Sequence, residues 1–179
     1  DKINYIVDWI INYTKSIKSQ PVSLIIGVSG GVDSALTSTL CALTGLKTTS
    51  YAENVKALYA AHEVGCSEAV FLNTSGWLCE GTGTNIFLVV DGTLITPDLS
   101  SGCLAGITRE LVIEIEEVEE RNISLQETSE ASEAFLTSST RDISPISSLG
   151  EVVFPNAPGD KTLKVAEKFA ELVTSNPDP

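Results

Sequence analysis

The spacing of apolar positions changes several times along the chain, and each change marks an element. Ile3, Ile6, Ile10, Tyr13 and Ile17 recur at helical spacing, with Tyr5 and Trp9 beside the stripe, and predict a helix over 3–17. Ser19-Gln20-Pro21 breaks that pattern, and Val22–Val28 then reads as a buried strand. A glycine-rich loop follows, then a helix through Ala35, Leu36, Thr39, Leu40 and Leu43 that ends at Gly45. Ser50-x-x-Glu53 is a capping box opening a helix over Val55, Leu58, Tyr59 and His62, closed by Gly65. Glu68–Asn73 and Trp77–Glu80 predict a hairpin across Thr74-Ser75-Gly76. Asn85–Val90 and Thr93–Thr96 predict another across Asp91-Gly92, the strongest short hairpin signal in the chain.

Beyond a polar loop at Pro97–Ser101, Gly106 precedes a helix that starts at Ile107. The next stretch reads two ways. Ile113-Glu114-Ile115-Glu116 alternates like a strand, while Leu111, Ile115 and Val118 also fit a helix face. Ala134–Thr137 and Ile143–Ile146 are strands on either side of the polar turn Ser138-Ser139-Thr140. Gly159-Asp160 opens a last helix with Leu163, Ala166, Phe169 and Leu172 inward, and Pro177-Asp178-Pro179 reads as a loose tail. Strands and helices interleave, so the fold class expected is α/β (α+β).

Composition narrows the function. With 179 residues, 42% of them hydrophobic, the chain can bury a core and is sized for one domain or one with an appended piece. A net charge of −13 argues against nucleic acid and anionic membranes as partners. The apolar runs Leu24–Val28 and Ile86–Val90 are strand-length, short of a membrane span. Cys41, Cys66, Cys79 and Cys103 form no CxxC pair and His62 is the sole histidine, so no metal site is expected. The cysteine usage favours a reducing, cytoplasmic setting. No signal peptide is visible, and a chain without methionine that starts at Asp1 reads as a fragment of a longer coding sequence.

Two stretches carry chemistry. Ser29-Gly30-Gly31-Val32-Asp33-Ser34 lies between strand and helix, where glycines let backbone approach and a helix start offers N–H groups to phosphate. It is neither a Walker A loop nor a dinucleotide GxGxxG. The hexapeptide resembles the pyrophosphate loop of N-type ATP pyrophosphatases, and residues 3–43 resemble the start of an ammonia-dependent NAD synthetase. That resemblance implies a Rossmann-like helix-strand-helix fragment, with Ser29, Gly30, Gly31, Asp33 and Ser34 facing ATP and magnesium.

The second stretch runs from Leu46-Lys47-Thr48-Thr49-Ser50-Tyr51 through Glu80-Gly81-Thr82-Gly83-Thr84-Asn85-Ile86-Phe87 to Leu104-Ala105-Gly106-Ile107-Thr108-Arg109. It combines an isolated lysine, a carboxylate on a glycine-broken strand and a Gly-Ile-Thr helix start. In order, spacing and flanking residues it resembles the mixed-sheet C-terminal domain of class IV aminotransferases. That family includes branched-chain and D-amino-acid aminotransferases and aminodeoxychorismate lyase. The resemblance implies pyridoxal 5'-phosphate as cofactor and an amino acid or aminodeoxychorismate as substrate. Lys47 would join the cofactor's aldehyde, Tyr51 lie near its phenolic oxygen, and Glu80 face its pyridine nitrogen. Ile107 and Thr108 would hold the phosphate, and Ser139 and Thr140 would form a second phosphate and substrate-carboxylate turn.

Taken together, the two resemblances imply a composite joined near residue 45, with residues 1–45 from one parent and 46–179 from the other. Class IV enzymes close their site with a smaller N-terminal domain that supplies a phosphate-binding arginine. Residues 1–45 do not resemble it, and neither Arg109 nor Arg141 matches that arginine. The expectation is half of a site, with three outcomes open: a class IV transaminase or lyase, an ATP-binding module, or an inactive composite. The relatives' dimerisation makes a homodimer a further expectation. Compared with relatives, the segment between Arg109 and Ala131 looks several residues short.

Overall fold

The computed structural model describes residues 52–175. The expected elements at 3–17, 22–28 and 35–43 and the tail at 177–179 lie outside the described residues. Helix α1 (Ala52–Glu63) opens the described body. Strands β1 (Val70–Leu72) and β2 (Leu78–Gly81) then pair antiparallel as the expected hairpin. The main sheet has five strands: β3 (Asn85–Val90), β4 (Thr93–Pro97), β5 (Val118–Arg121), β6 (Glu133–Ser138) and β7 (Asp142–Pro145). Their order is β5-β4-β3-β6-β7, antiparallel except for the parallel pair β4 and β5. The mixed sheet with helices is the fold class the sequence predicts.

Local chemistry accounts for the frame. Asp91 and Gly92 both take positive φ, at 50° and 79°, the two-residue turn that joins twisted strands without splaying them. β3 is an unbroken apolar run because both of its faces are covered. Ile86 and Leu88 pack with Leu78, Ile95, Ile123 and Phe154 on one face. Phe87 and Val89 pack with Phe135, Val112, Val165 and Phe169 on the other. Phe87 and Phe135 are cross-strand partners stacked at 5.0 Å and 6°, and each fully buried ring contributes about 1.5–3 kcal/mol.

The ambiguous stretch proves to hold both elements. Helix α2 (Ile107–Ile115) ends at Glu116, and β5 begins at Val118, so the helical and alternating patterns belong to successive segments. The parallel pairing of β5 with β4 needs such a crossover helix. Helix α3 (Leu125–Glu130) was not anticipated, although Ser124 and Glu127 form its capping box. Strands β8 (Ser148–Leu149) and β9 (Val152–Val153) add a small hairpin.

Helix α4 (Asp160–Ser175) is present as expected, with its buried stripe turned by one residue. Thr162, Val165 and Phe169 are buried while Leu163 is 45% exposed. The cause is at the helix start, where Glu133 of β6 accepts from Thr162 N–H at 2.8 Å and Thr162 Oγ1 at 2.7 Å. Those bonds pull Thr162 inward and rotate Leu163 out. On α1, Ala61 is buried and Leu58 half-buried, but Val55 and Tyr59 point outward.

Candidate functional site

β2 carries Glu80 where the chain leaves the hairpin through Gly81-Thr82-Gly83-Thr84 and returns as β3. Gly81 N–H donates to the Thr84 carbonyl at 2.8 Å and closes this turn. Glu80 is half-buried, and its Oε2 accepts from Leu104 N–H at 2.8 Å. Burial pushes the Glu80 carboxyl above its ordinary range, and the bond from Leu104 offsets only part of that rise. One residue into β3, Asn85 Nδ2 donates to the Leu104 carbonyl at 2.8 Å. Both backbone polar groups of Leu104 are therefore held by side chains of β2 and β3.

That clasp delivers the start of α2. Gly106 precedes the first turn with no side-chain cap, and the first helical bond runs from Glu110 N–H to its carbonyl at 2.9 Å. The N–H groups of Ile107, Thr108 and Arg109 have no intrahelical acceptor, and the positive end of the helix dipole adds to them. A Cβ at position 106 would collide with Asn85 Oδ1, so a side chain there would displace the amide that holds Leu104. Thr108 is buried and Ile107 is 74% exposed, which leaves the helix start approachable.

Ser139 and Thr140 lie on the β6–β7 turn, both exposed. Pairing of Asn85 with Thr137 brings this turn to the same end of the sheet as Glu80 and the start of α2. Ser138 Oγ and Thr140 Oγ1 stand 3.3 Å apart. The buried hydroxyls of Thr84 and Thr137, at this sheet end, have no hydrogen-bond partner among the described residues. A buried hydroxyl left unpaired is one that a bound polar group can satisfy. Lys47, Tyr51, Ser29, Gly30, Gly31, Asp33 and Ser34 lie outside the described residues.

Four contributors escaped the sequence reading: Asn85, Glu68, Arg109 and Arg141. Asn85 was readable only as a strand residue, because its contact with Leu104 spans a long loop. The Glu68 side chain is almost fully buried and takes Ala69 N–H, Thr82 N–H, Thr82 Oγ1 and Arg141 Nη1. Arg109 turns away from the helix start, donating to the Pro97 carbonyl at 2.9 Å and pairing with Glu120 at 2.5 Å. Cys79 and Cys103 lie near Glu80; burial, then the Glu80 charge, pushes the Cys79 thiol up to about 11, and burial raises Cys103 as well. Both thiols stay protonated at neutral pH and serve as wall. Among the described residues no cluster of His, Cys, Asp or Glu could hold a metal ion, and no helix is long and apolar enough to cross a membrane.

A half-buried carboxylate and an uncapped helix start, joined through one clasped residue, suit a flat heteroaromatic ring that carries phosphate. A Cβ on Gly83 would meet nothing within 4 Å, so backbone there leaves room for such a ring.

Comparison with known proteins gives the same direction. A family model described as amino-transferase class IV matches residues 9–149. A probable branched-chain-amino-acid aminotransferase of Thermotoga maritima is 41% identical over 116 residues, 62% of this chain and 42% of the relative. A putative branched-chain-amino-acid aminotransferase of Methanocaldococcus jannaschii is 36% identical over 135 residues, 72% of this chain and 47% of the relative. Among solved structures, the branched-chain amino acid aminotransferase of Thermobaculum terrenum in its PLP form has a TM-score of 0.69 at 38% identity. That match covers 73% of this chain and 45% of the other. The enzyme of Thermoproteus uzoniensis with norvaline has a TM-score of 0.67 at 36% identity, over 72% and 44%. The chain thus spans less than half the length of these relatives. The matched family span begins at residue 9, so it runs through the Ser29–Ser34 loop and across position 45.

Proposed function

Because the chain belongs to the class IV aminotransferase family, we propose that it is the pyridoxal-phosphate-holding part of an amino-acid aminotransferase of the branched-chain kind. The observation that carries this reading is the clasp of Leu104 by Glu80 and Asn85, which sets a carboxylate beside an uncapped helix start. When bound, the cofactor supplies an aldehyde for the substrate's amine and a ring that accepts electrons from the substrate's Cα. Glu80 offers its carboxylate to the pyridine nitrogen and keeps a proton there. The Ile107 and Thr108 N–H groups bind the phosphate, and the Thr108 hydroxyl adds a donor. Ser139 and Thr140 contribute from the facing turn, and Tyr51 from beside Lys47.

Lys47 is the amine of this reading. It precedes Ala52 by five residues (52 − 47 = 5), and five residues span at most about 18 Å. A lysine can act here only if its amine is neutral part of the time, which desolvation in a closed pocket provides. Because the chain spans less than half of its relatives, the proposal assigns cofactor holding to this span. Turnover, on an amino acid or on aminodeoxychorismate, is assigned only to a site completed by further polypeptide. Mixing the protein with pyridoxal phosphate, followed by borohydride, tests the assignment. Cofactor absorbance should become fixed on the peptide that contains Lys47, and Lys47→Ala should abolish it. Labelling spread over several lysines and indifferent to Lys47→Ala would sink the idea.

The Ser29–Ser34 hexapeptide supports a second reading of residues 1–45, as a pyrophosphate loop for ATP with magnesium joined to the 46–179 body. A family match that crosses position 45 weighs against such a join. If the loop does hold phosphate, ATP with magnesium raises the melting temperature and Asp33→Ala removes the rise. No shift at millimolar nucleotide leaves the loop a structural turn.

A further inference from the structure

Arg109 stands in the first turn of α2, where packing alone would not choose an arginine. Its side chain is 5% exposed. A cation in the first turn works against the helix dipole. Its Nε is buried with no hydrogen-bond partner among the described residues, a donor taken out of water without compensation. Replacing a buried ion pair by apolar side chains of similar volume is often neutral or stabilising. Burial by itself would therefore favour a side chain such as methionine at this position.

What the arginine provides instead is a tie to the sheet. Nη2 donates to the Pro97 carbonyl at 2.9 Å and pairs with Glu120 Oε2 at 2.5 Å. Pro97 ends β4, and Glu120 lies on β5 beside Arg121, the partner of Pro97. The guanidinium thus joins the helix start to the ends of the parallel strand pair. It also closes the loop that leaves β4 at Pro97 and carries the clasped Leu104.

The two anchors flank the N–H groups of Ile107 and Thr108. Leu104, shortly before them, is held from β2 and β3 by Glu80 and Asn85. Arg109, directly after them, is held from β4 and β5. Neither N–H group can swing without moving an anchored neighbour. Hydrogen bonds weaken steeply as the donor angle departs from linear. A helix start free to rock would have to be ordered by the ligand, at a cost to affinity.

We propose that Arg109 is a positioning residue: its tie to Pro97 and Glu120 holds the Ile107 and Thr108 N–H groups in the orientation that takes the cofactor's phosphate. This role rests on the cofactor reading given above, and the Arg109 side chain acts only through the helix start. Glu120 offsets the guanidinium charge, so the contribution is one of geometry and not of an added cation.

The test compares pyridoxal phosphate with pyridoxal, which has the ring and the aldehyde but no phosphate. Titrating the full chain with each, and following the absorbance that Lys47→Ala removes, gives the ratio of the two affinities. The parent should favour the phosphorylated form. Arg109→Met should lower that ratio about tenfold, and Arg109→Lys, which keeps the charge but loses the planar fork, about threefold. Glu120→Gln should lower it by a smaller factor, because the amide oxygen still accepts a bond. Affinity for pyridoxal should be unchanged in all three. If Arg109→Met fails to fold, Arg109→Lys and Glu120→Gln decide by the same ratio. An unchanged ratio in the folded Arg109 variants, or an equal loss for both ligands, would overturn the assignment and leave Arg109 a residue of the fold alone. A parent that shows no such absorbance, or binds both forms equally, would instead remove the cofactor reading of the helix start, and this role with it.

Discussion

Glu80 shows how a functional group can work against the fold that holds it. Its carboxyl is raised mainly by burial, with the Leu104 N–H bond as partial relief. A raised acid contributes stability that is fully present below its unfolded value, near 4.5, and is lost as pH rises through the higher folded value. Without cofactor, the ionised Glu80 therefore costs stability at neutral pH. Glu80→Gln keeps an acceptor for Leu104 N–H and cannot ionise. Melting curves should show the variant a few degrees more stable than the parent at pH 8, with the gap closing towards pH 4. A gap that is constant with pH would mean that Glu80 does not titrate where burial places it. The type and place of this residue were legible in the sequence, because a carboxylate beside Gly-Thr-Gly-Thr-Asn is a specific pattern. Asn85 was not, because its role comes from a contact with a backbone carbonyl 19 positions away.

Elements that follow simple periodicity were legible: the hairpin at Asp91-Gly92, the buried β3 run and the helix from Ile107. What escaped was set by tertiary partners. α3 was hidden by its polar sequence, although its capping box was in view. The rotation of α4 was hidden because Glu133, from another strand, fixes Thr162 inward. A second tie reinforces that helix. The side chain of Glu116, at the end of α2, is 5% exposed and meets Lys161 at 3.1 Å, Lys164 at 3.1 Å and Lys168 at 2.5 Å. The bond from Lys168, then those from the other two lysines against a burial penalty, hold the Glu116 carboxyl down to about 2. A depressed acid stabilises above its unfolded value of 4.5 and loses that contribution as pH falls to about 2. The lysines are partly exposed, so solvent screening trims the effect to about 1–3 kcal/mol at neutral pH. Glu116→Gln should lower the unfolding free energy from urea titration by that amount at pH 7 and by almost nothing at pH 2. Equal losses at both pH values would assign the effect to packing and remove the ion cluster from the account.

At the scale of the whole molecule, the open question is what the first 45 residues do for the rest. Apart from Ala61 and Cys103, every buried hydrophobic residue of the described body packs in one of two clusters within it: one runs from Leu78 to Phe154, the other from Phe87 to Phe169. The sheet is covered on one face by α2 and α4, and on the other by β2, the Ile123 segment and the loop carrying Phe154. A sheet covered on both faces by its own chain has no need of a further layer to bury its apolar side chains. The family match, in contrast, starts at residue 9 and treats the stretch across position 45 as continuous. These two observations give different expectations for a protein shortened to 46–179, and the self-contained clusters predict that it still folds. Expressed alone, 46–179 should unfold in one cooperative transition at the melting temperature of the full chain, with Lys47 still open to cofactor fixation. If the shortened protein melts without cooperativity, or well below the parent, residues 1–45 belong to the core and the two-piece reading of this chain is wrong.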